Sequence, residues 1–375
     1  MTPLHPHWRE LYREVVDPGL CTGCAGCVVA CPRDVLVAGD DDLPVQIGPG
    51  MGVDECVIGD RGCDVCTRAC PRFRTWEPEL DTVVAGRPRT DDEVFGPVRR
   101  LLLTRATDPS VNEVAQDGGL VSGLLIWGLE TGRIDGALTS KITDNGLGPF
   151  DAAPTVVTDR AGVLETAGSR YTFSANPLAF DEAVEAGLRR LALVGMSCQA
   201  SIPAALAAHG ERRVARRIAV TIGLLCSKTF TYEGQSQVLA EHGVAMNDVT
   251  KINIKGTFRV WTNDGGYQQI PLKLFHPHTR PACQTCPDFA AQHADISAGG
   301  IGDASGWTLT IVRTEVGERW IDDAIADGEI EARPAESDEA AMRLLTRLST
   351  MSRRRWPSAE EAGIPIDPTP SRTGE

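Results

Sequence analysis

Twelve cysteines in 375 residues restrict this chain most, because eight of them stand in two closely spaced runs. The runs read Cys-x2-Cys-x2-Cys-x3-Cys-Pro and Cys-x6-Cys-x2-Cys-x3-Cys-Pro. Both end like the bacterial ferredoxin motif, in which thiolates from a tight loop bind the irons of a cubane cluster. A zinc site does not normally use so closely spaced a run. The spacing therefore predicts two [4Fe–4S] clusters.

The fourth cysteine of each run is predicted to cross over to the other cluster, as it does in two-cluster ferredoxins. One cluster is then held by Cys21, Cys24, Cys27 and Cys70, and the other by Cys31, Cys56, Cys63 and Cys66. The long gap between Cys56 and Cys63 departs from the motif, so the spacing supports Cys56 less than the other ligands.

The segment between residues 191 and 225 has the pattern of a β–helix–β unit. Residues 191–194 form an apolar run, residues 199–209 suit a helix that ends at Gly210, and residues 218–225 form a second apolar run. Such units are almost always right-handed with parallel strands, so the carboxyl ends of both strands should share one edge of the sheet. Open α/β sheets bind their ligands at this edge.

The positions of the four remaining cysteines can be predicted from this β–helix–β unit and from one loop. Cys198 follows the first strand and Cys226 ends the second, so we expect their thiols to lie close together. Cys283 and Cys286 form a Cys-x2-Cys pair in the Pro-rich loop 280–288, which could approach the same edge. We therefore predict a third [4Fe–4S] cluster, with a zinc site or buried free thiols as the alternatives.

Residue composition and hydrophobic pattern divide the chain into four parts. Residues 1–80 are rich in Cys and Pro and indicate a small ferredoxin-like module, whereas the charged segment 81–98 has the composition of a linker. Residues 99–348 alternate between strand-like and helix-like segments, and residues 349–375 resemble a mobile tail. The predicted fold class is α+β: a small dicluster module followed by a larger mixed α/β domain with a central sheet.

Periodicity and capping signals predict further elements of the larger domain. Strands are expected at 101–104, 251–254, 258–262 and 308–313, and helices at Leu120–Glu130, closed by Gly132, and at 338–348, with Ser337 as the N-cap.

Charge and hydropathy restrict the partners. The net charge of −14 argues against nucleic acid as the main partner, because nucleic-acid-binding proteins carry a basic footprint. No apolar run approaches the roughly 18 residues of a membrane span, and no signal-peptide pattern is present. Many cysteines without such a signal favour metal ligation in a reducing compartment. We expect a cytoplasmic protein, at most peripheral to a larger complex.

Two glycines precede the helix predicted at Leu120–Glu130. Gly118 and Gly119 stand directly before it, and Ser122 lies in its first turn. The first amides of a helix have no partner within the helix and can bind an anion such as a cofactor diphosphate. An ordinary turn with a helix cap is the alternative.

A second loop offers polar and aromatic groups. Ser169, Arg170 and Tyr171 combine a hydroxyl, a cation and a ring, which suit a phosphate or a flavin, although a surface loop has the same composition. Lys255 follows a predicted strand and either faces a ligand or is solvated. Several other candidates are weaker: Lys228, the glycine-rich segment 295–302, and His276, His278 and His293, which we expect at the surface or around the ligands.

Seven segments in order carry a resemblance to a known family. They read QDGGLVSGLL, AGSRYTF, LVGMSCQASIPAAL, IGLLCSKTF, INIKGTF, CQTCPDFAAQHADISAGGIG and GWTLTIVRT. Together they resemble the family of beta subunits of coenzyme F420-reducing hydrogenase and F420-dependent dehydrogenases, from about residue 99 to about residue 330. One departure is Ser197, because the family commonly has proline immediately before the first cluster cysteine.

The resemblance implies a domain that binds FAD non-covalently beside a [4Fe–4S] cluster and exchanges hydride between this flavin and coenzyme F420. It places the cluster ligands at Cys198, Cys226, Cys283 and Cys286, and the FAD contacts around Gly118, Gly119, Ser122, Ser169, Arg170 and Tyr171, with Lys255 and segment 295–302 as further candidates. The N-terminal clusters would then pass single electrons to a redox partner subunit or to ferredoxin. No protein acid or base is identified.

Other functions fit the same residues. Some relatives in the resembled family are ferredoxin-dependent reductases of chlorophyll-type tetrapyrroles, with the same flavin and clusters but without F420. A subunit that only relays electrons would have a degenerate flavin site, and the intact DGG and GSRY segments argue against it. A structural zinc protein is the third alternative.

Overall fold

The structure is a computed structural model, and it describes residues 5–74, 76–143 and 148–362. Short elements joined by long loops make up the N-terminal part. They are α1 (Trp8–Leu11), which continues as a π-helical turn at Tyr12–Val16, α2 (Gly26–Ala30), the antiparallel strands β1 (Leu36–Ala38) and β2 (Pro44–Gln46), α3 (Val65–Arg68) and α4 (Trp76–Ala85).

The two cysteine runs have the same local structure. Cys27 lies in α2 and Cys66 in α3, and in each run the fourth cysteine follows the end of its helix. The two helices pack together. Trp8, Leu11 and Leu20 form the small core beside them. The repeated spacing is therefore a repeated structure around two neighbouring loops.

The larger domain contains two sheets. Its strands are β3 (Arg100–Ala106), β4 (Gly136–Thr143), β5 (Asp151–Val157), β6 (Leu191–Met196), β7 (Ile218–Leu224), β8 (Val249–Lys255), β9 (Thr257–Thr262), β10 (Tyr267–Ile270), β11 (Ile296–Gly299), β12 (Thr308–Val312) and β13 (Ile330–Pro334). Eight of them form the central mixed sheet in the order β13-β3-β12-β11-β7-β6-β4-β5, and β8, β9 and β10 form an antiparallel sheet of their own. The predicted central sheet is confirmed.

Among the described residues, ten α-helices belong to the larger domain and the C-terminal segment, and several of them cover the central sheet. They are α5 (Pro109–Val114), α6 (Leu120–Glu130), α7 (Arg160–Glu165), α8 (Phe180–Glu185), α9 (Ser197–Ala200), α10 (Ile202–Ala208), α11 (Tyr232–Glu241), α12 (Glu315–Ala326), α13 (Glu339–Arg353) and α14 (Ala359–Ala362). Nearly every side chain of α6 is apolar, and the helix is buried between the sheet and α12, where Trp127 meets Trp320 edge to face. No helix in the described ranges is long and apolar enough to cross a membrane.

The β–helix–β unit forms as predicted, with β6 and β7 parallel. The helix between them differs, because α9 and α10 are separate and meet at Ser201. Pro203 occupies the first turn of α10. Proline has no amide hydrogen to donate to the preceding turn, so the chain cannot continue as one helix through this point.

The end of the chain corrects two predictions. The N-cap of α13 is Asp338, whose carboxylate accepts from the Ala341 amide at 2.9 Å, whereas Ser337 donates its hydroxyl to Pro334 O. Both residue types are good N-caps, so sequence alone could not choose between them. The helix runs on to Arg353, and Trp356 is only 1% exposed. Residues 349–356 are therefore packed and are not a tail; residues 363–375 lie outside the described ranges.

Parts of the predicted linker 81–98 are packed against the rest of the protein. Its first residues complete α4, and Asp81 and Arg89 are buried against each other. In the sequence, Asp81 and Arg89 resemble parts of a solvated stretch, because the sequence does not show that these two charges pair inside the protein.

Candidate functional site

Cys21, Cys24, Cys27 and Cys70 line one pocket of about 380 Å³. The loop before α2 reaches this arrangement through two left-handed residues, Gly23 (φ 67°) and Ala25 (φ 65°). Burial raises the pKa of the Cys21 thiol to about 12, and the neighbouring Cys24 contributes. The four thiols predicted for one cluster thus surround one space, which we call the first site.

Cys31, Cys56, Cys63 and Cys66 also lie together, and we call them the second site. Burial raises the pKa of the Cys66 thiol, and the nearby Cys63, Cys56 and Cys31 raise it further. The Gly59 amide donates to the Cys56 sulfur at 3.3 Å, which fixes the residue that the motif supported least. The structure therefore brings Cys56 to the group with which it was predicted to act.

The third group, which we call the third site, lines a pocket of about 340 Å³ and comprises Cys198, Cys226, Cys283 and Cys286. Cys198 lies in α9 directly after β6, and Cys226 follows β7, so both stand at the carboxyl edge of parallel strands. The Cys226 amide donates to Phe289 O at 2.9 Å, which ties this edge to the loop of the Cys-x2-Cys pair. The strand-edge argument thus predicted this arrangement.

The described residues contain no group of three or more His, Cys, Asp or Glu side chains arranged around a single metal-ion position. A cubane binds each thiolate to a different iron. The sulfurs of a cluster site therefore need to surround a space and need not converge on one point, which is the arrangement of the two lined pockets.

The three sites form a row. Thr22 lines both the first and the third pocket. Burial raises the pKa of the Cys198 thiol well above its usual value, and Cys24 of the first site is among the neighbours that add to it. Burial also raises the pKa of the Cys27 thiol in the first site, and Cys66 of the second site is among the neighbours that add to this effect. The first site therefore lies between the other two.

The candidate cofactor loops converge at the amino end of α6. Lys255 Nζ lies 3.0 Å from Asp117 Oδ1 and donates to Gly300 O at 2.8 Å. The Ser169 amide donates to Gln116 Oε1 at 3.2 Å. Three loops that are distant in sequence thus meet around Gly118 and Gly119, and segment 295–302 joins them through Gly300.

Gly118 and Gly119 have structural reasons to be glycine. A Cβ on Gly118 would lie 2.5 Å from Thr104 O and 2.8 Å from the Thr308 nitrogen, so no side chain fits against the sheet. Gly119 has φ 72° and is the N-cap residue of α6. Both glycines therefore fit an ordinary turn before the helix. This turn provides no side-chain cap, so the first amides of α6 remain available to a ligand.

Arg170 is a buried cation held by carbonyl groups. Its guanidinium donates to Thr166 O and Gly168 O, both at 2.9 Å, at the end of α7. Burial lowers the pKa of Arg170 to about 10. Its Nε is buried without a hydrogen-bond partner in the described structure. A cation in this state fits a site for a phosphate group, which the expected FAD would supply.

Tyr171 lies between these loops and the third site. Its φ is 64°, an unusual backbone conformation for a bulky residue. The Ile254 amide donates to its hydroxyl at 3.0 Å, and its carbonyl accepts from the Phe230 amide at 2.9 Å. Burial raises the pKa of Tyr171 to about 12, with Asp117 and Cys226 among the contributing neighbours. Hydrogen bonds to the hydroxyl and to the main-chain carbonyl therefore fix Tyr171 beside both candidate sites.

Family models match three parts of this chain. The C-terminal model of the coenzyme F420 hydrogenase/dehydrogenase beta subunit matches residues 188–338 and the N-terminal model matches residues 101–180. Coenzyme F420 hydrogenase subunit beta of Methanococcus voltae is 34% identical over 281 residues, which are 72% of this chain and 99% of that protein. The chain belongs to the family of coenzyme F420 hydrogenase/dehydrogenase beta subunits. A 4Fe-4S binding domain matches residues 14–37, which contain the first cysteine run.

Two further matches are consistent with this family, one in sequence and one in structure. A subunit of the F(420)H(2) dehydrogenase of Methanosarcina mazei is 28% identical over 351 residues, which are 91% of this chain and 91% of that protein. A chain of the F420-reducing [NiFe] hydrogenase complex from Methanosarcina barkeri superposes with a TM-score of 0.69 at 29% identity, over 75% of this chain and 99% of that chain. The resemblance seen in the sequence and the oxidoreductase class are confirmed.

Three residues that the sequence analysis did not select line the pockets of this beta-subunit-type chain. Arg72 lines the first pocket, while Asp288 and Arg280 line the third. The Arg280 guanidinium lies 3.8 Å from the centre of the Phe173 ring and donates to Thr22 O at 2.8 Å. Arg72 and Asp288 each follow the Cys-Pro pair that ends a cysteine motif, which was an available signal; Arg280 gave none.

The histidines have different positions. His276 is exposed and His278 half-buried in a short turn, as expected of surface residues. His293 is buried and does not line either pocket; its Nε2 lies 3.1 Å from Asp81 Oδ1 and its Nδ1 3.1 Å from Ser201 Oγ. Lys228 lines the third pocket, where burial lowers its pKa.

Proposed function

We propose that this chain exchanges hydride between coenzyme F420 and a bound FAD, and passes single electrons through three [4Fe–4S] clusters to a partner subunit or ferredoxin. The observation that carries the proposal is the continuous row of sites: the loops around Gly118, Tyr171, and then the third, first and second sites. The names of the relatives, which are subunits of an F420 hydrogenase and an F(420)H(2) dehydrogenase, support the substrate.

A bound FAD would supply the chemistry that converts a two-electron hydride into single electrons. The residues of the chain would bind and orient it. The free amides of α6 and the buried Arg170 suit the diphosphate, and Tyr171 offers a fixed ring beside the third site. Lys255, held between Asp117 and Gly300, would place a positive charge near the flavin and favour its anionic reduced form.

The substrate is tested by anaerobic purification, measurement of iron and flavin, and addition of reduced F420. We expect about twelve irons and one FAD per chain, and loss of both flavin and cluster absorbance when reduced F420 is added. If the cofactors are present but only reduced ferredoxin or dithionite bleaches them, F420 is not the donor and a ferredoxin-dependent reductase is supported instead.

Replacing Lys255 with methionine is expected to weaken FAD binding about tenfold or more, because a charge-assisted hydrogen bond contributes about 1.5–3 kcal/mol. FAD retained after gel filtration and the Kd of FAD for the flavin-free protein measure this. Lys251→Met is the matched control, since Lys251 lies on the same strand and its Nζ contacts Ala115 O at 3.2 Å. Equal FAD affinity in the wild type and both variants would show that Lys255 does not contribute to FAD binding.

The partner is expected to dock beside the second site, which is the outer end of the row. An apolar patch there consists of four exposed side chains, Val45, Ile47, Val53 and Val57, with exposures of 42%, 55%, 64% and 44%. Gln46 Nε2 donates to Glu55 O at 3.0 Å, which holds the two segments of the patch together next to Cys56. We propose that this apolar patch receives the redox partner protein, because the patch includes Val57, which directly follows the second-site cysteine Cys56.

Val53→Asp is expected to raise the KM for the partner protein about tenfold or more, because an interface would bury the new charge without a counter-ion. Reduction of the flavin by F420 should not change. Stopped-flow traces of flavin bleaching and of acceptor reduction separate the two steps, and the exposed Val83→Asp, in α4, is the control. Unchanged acceptor kinetics in Val53→Asp would place the partner elsewhere.

A further inference from the structure

Arg72 belongs to the first site and also lies near Cys286 and Cys198 of the third site. It lines the first pocket and is only 1% exposed. Its guanidinium lies 4.3 Å from the centre of the Trp76 ring, and one terminal nitrogen donates to Pro71 O at 2.8 Å. The packing against Trp76 and Pro71 therefore fixes where the charge of Arg72 lies.

Part of this guanidinium has no acceptor. Nε and the second terminal nitrogen of Arg72 are buried without a hydrogen-bond partner among the described residues. Buried donors are normally paired, so these two nitrogens are available to an acceptor in the neighbouring cluster sites. Cluster sulfurs and cysteine thiolates are acceptors of this kind.

The charge acts on both sites. Burial opposes the charge of Arg72, but Cys286, Asp288 and Cys198 of the third site outweigh it and raise the pKa of the guanidinium. In the opposite direction, the charge of Arg72 works against the burial that raises the pKa of Cys24 in the first site and of Cys286 in the third. One cation is thus shared by two sets of thiols.

We propose that Arg72 is a positioning residue shared by the first and third cluster sites, where its guanidinium stabilises the reduced state of both clusters and so raises both reduction potentials. Reduction adds one negative charge to a cluster, and a fixed cation in a buried environment favours the more negative state. Charge and hydrogen bonds to sulfur are known determinants of cluster potential. The second site lies on the far side of the first, so the charge of Arg72 acts on it over a longer distance. This inference rests on the clusters proposed above.

The test is a redox titration of the holoprotein with dithionite, followed by EPR, in wild type and Arg72→Gln. The signals are assigned with Cys56→Ala for the second site and Cys283→Ala for the third. In Arg72→Gln, the reduction equilibria of the first and third sites should shift about tenfold or more toward the oxidised state, about 59 mV for one electron. The second site should not shift.

The controls distinguish charge from packing. Arg74→Gln alters the nearby Arg74, which is 44% exposed and pairs with Glu14, and should shift none of the three potentials. Arg72→Lys keeps the charge and should stay close to wild type. The proposal is overturned if Arg72→Gln carries full iron with unchanged potentials, if all three sites shift equally, or if Arg72→Lys shifts as far as Arg72→Gln.

Two failures remain separable. If Arg72→Gln does not retain its iron, the Arg72→Lys variant distinguishes the two explanations. Full iron with wild-type potentials in Arg72→Lys supports a role of the charge. Loss of iron in Arg72→Lys as well, while Arg74→Gln keeps its iron, shows that position 72 serves packing alone. If wild-type protein itself contains far fewer than about twelve irons, the proposed clusters fail, whatever Arg72 does.

Discussion

Changing Cys283 and Cys286 together to alanine is expected to lower the iron content from about twelve to about eight per chain, because a cubane lost from one site removes about four irons. These two cysteines supply half of the thiols around the third pocket. FAD should remain bound, since the loops around Gly118 lie on the other side of Tyr171. Reduced F420 should still bleach the flavin, and the first and second sites should stay oxidised.

The measurement combines iron analysis, flavin analysis and EPR after addition of reduced F420. Thr285→Ala is the matched control, because Thr285 lies between the two cysteines and its hydroxyl makes a long contact of 3.5 Å with Gly19 O. The expected control result is full iron and reduction of all clusters. Undiminished EPR signals of the first and second sites in the double variant would show that electrons reach them without the third site.

Arg89→Met is expected to lower the free energy of unfolding by about 3–5 kcal/mol, the usual cost of removing one partner from a buried ion pair. Arg89 Nε and Nη2 lie 2.6 and 2.5 Å from the two carboxylate oxygens of Asp81, and Arg89 Nη1 lies 3.3 Å from Glu77. Arg353 donates two hydrogen bonds of 2.8 Å to Glu77. These buried charges join α4 to α13, so their loss loosens the N-terminal module from the larger domain.

Thermal unfolding of protein with equal iron and flavin content measures this effect, because bound cofactors contribute to stability. Arg87→Met is the control two positions away, where an exposed pair with Glu93 contributes little. Burial raises the pKa of Asp81, but hydrogen bonds from His293 and Arg89 outweigh it and hold that pKa below its usual range. A melting temperature of Arg89→Met equal to that of Arg87→Met would contradict a stabilising role of the network.

Local signals in the sequence predicted much of the fold. Helix Leu120–Glu130 has the predicted bounds because its apolar run and Gly132 are local features. The placement of Cys198 and Cys226 followed from the fixed handedness of a β–helix–β unit, which needs no knowledge of side-chain packing. The candidate flavin loops were found as separate motifs, and their meeting at Lys255 was not predicted.

The sequence by itself determined the elements whose causes lie within a few residues: the cysteine spacing, the strand and helix periods, and the family. Only the tertiary structure decided which charges are buried and which sites are neighbours. Arg72 next to Cys286, Arg89 inside the segment expected to be a linker, and Trp356 inside the segment expected to be a tail all depend on contacts between residues far apart in the chain. A charged or terminal residue has the same local sequence whether it is solvated or paired in the interior, so only the folded chain distinguishes the two.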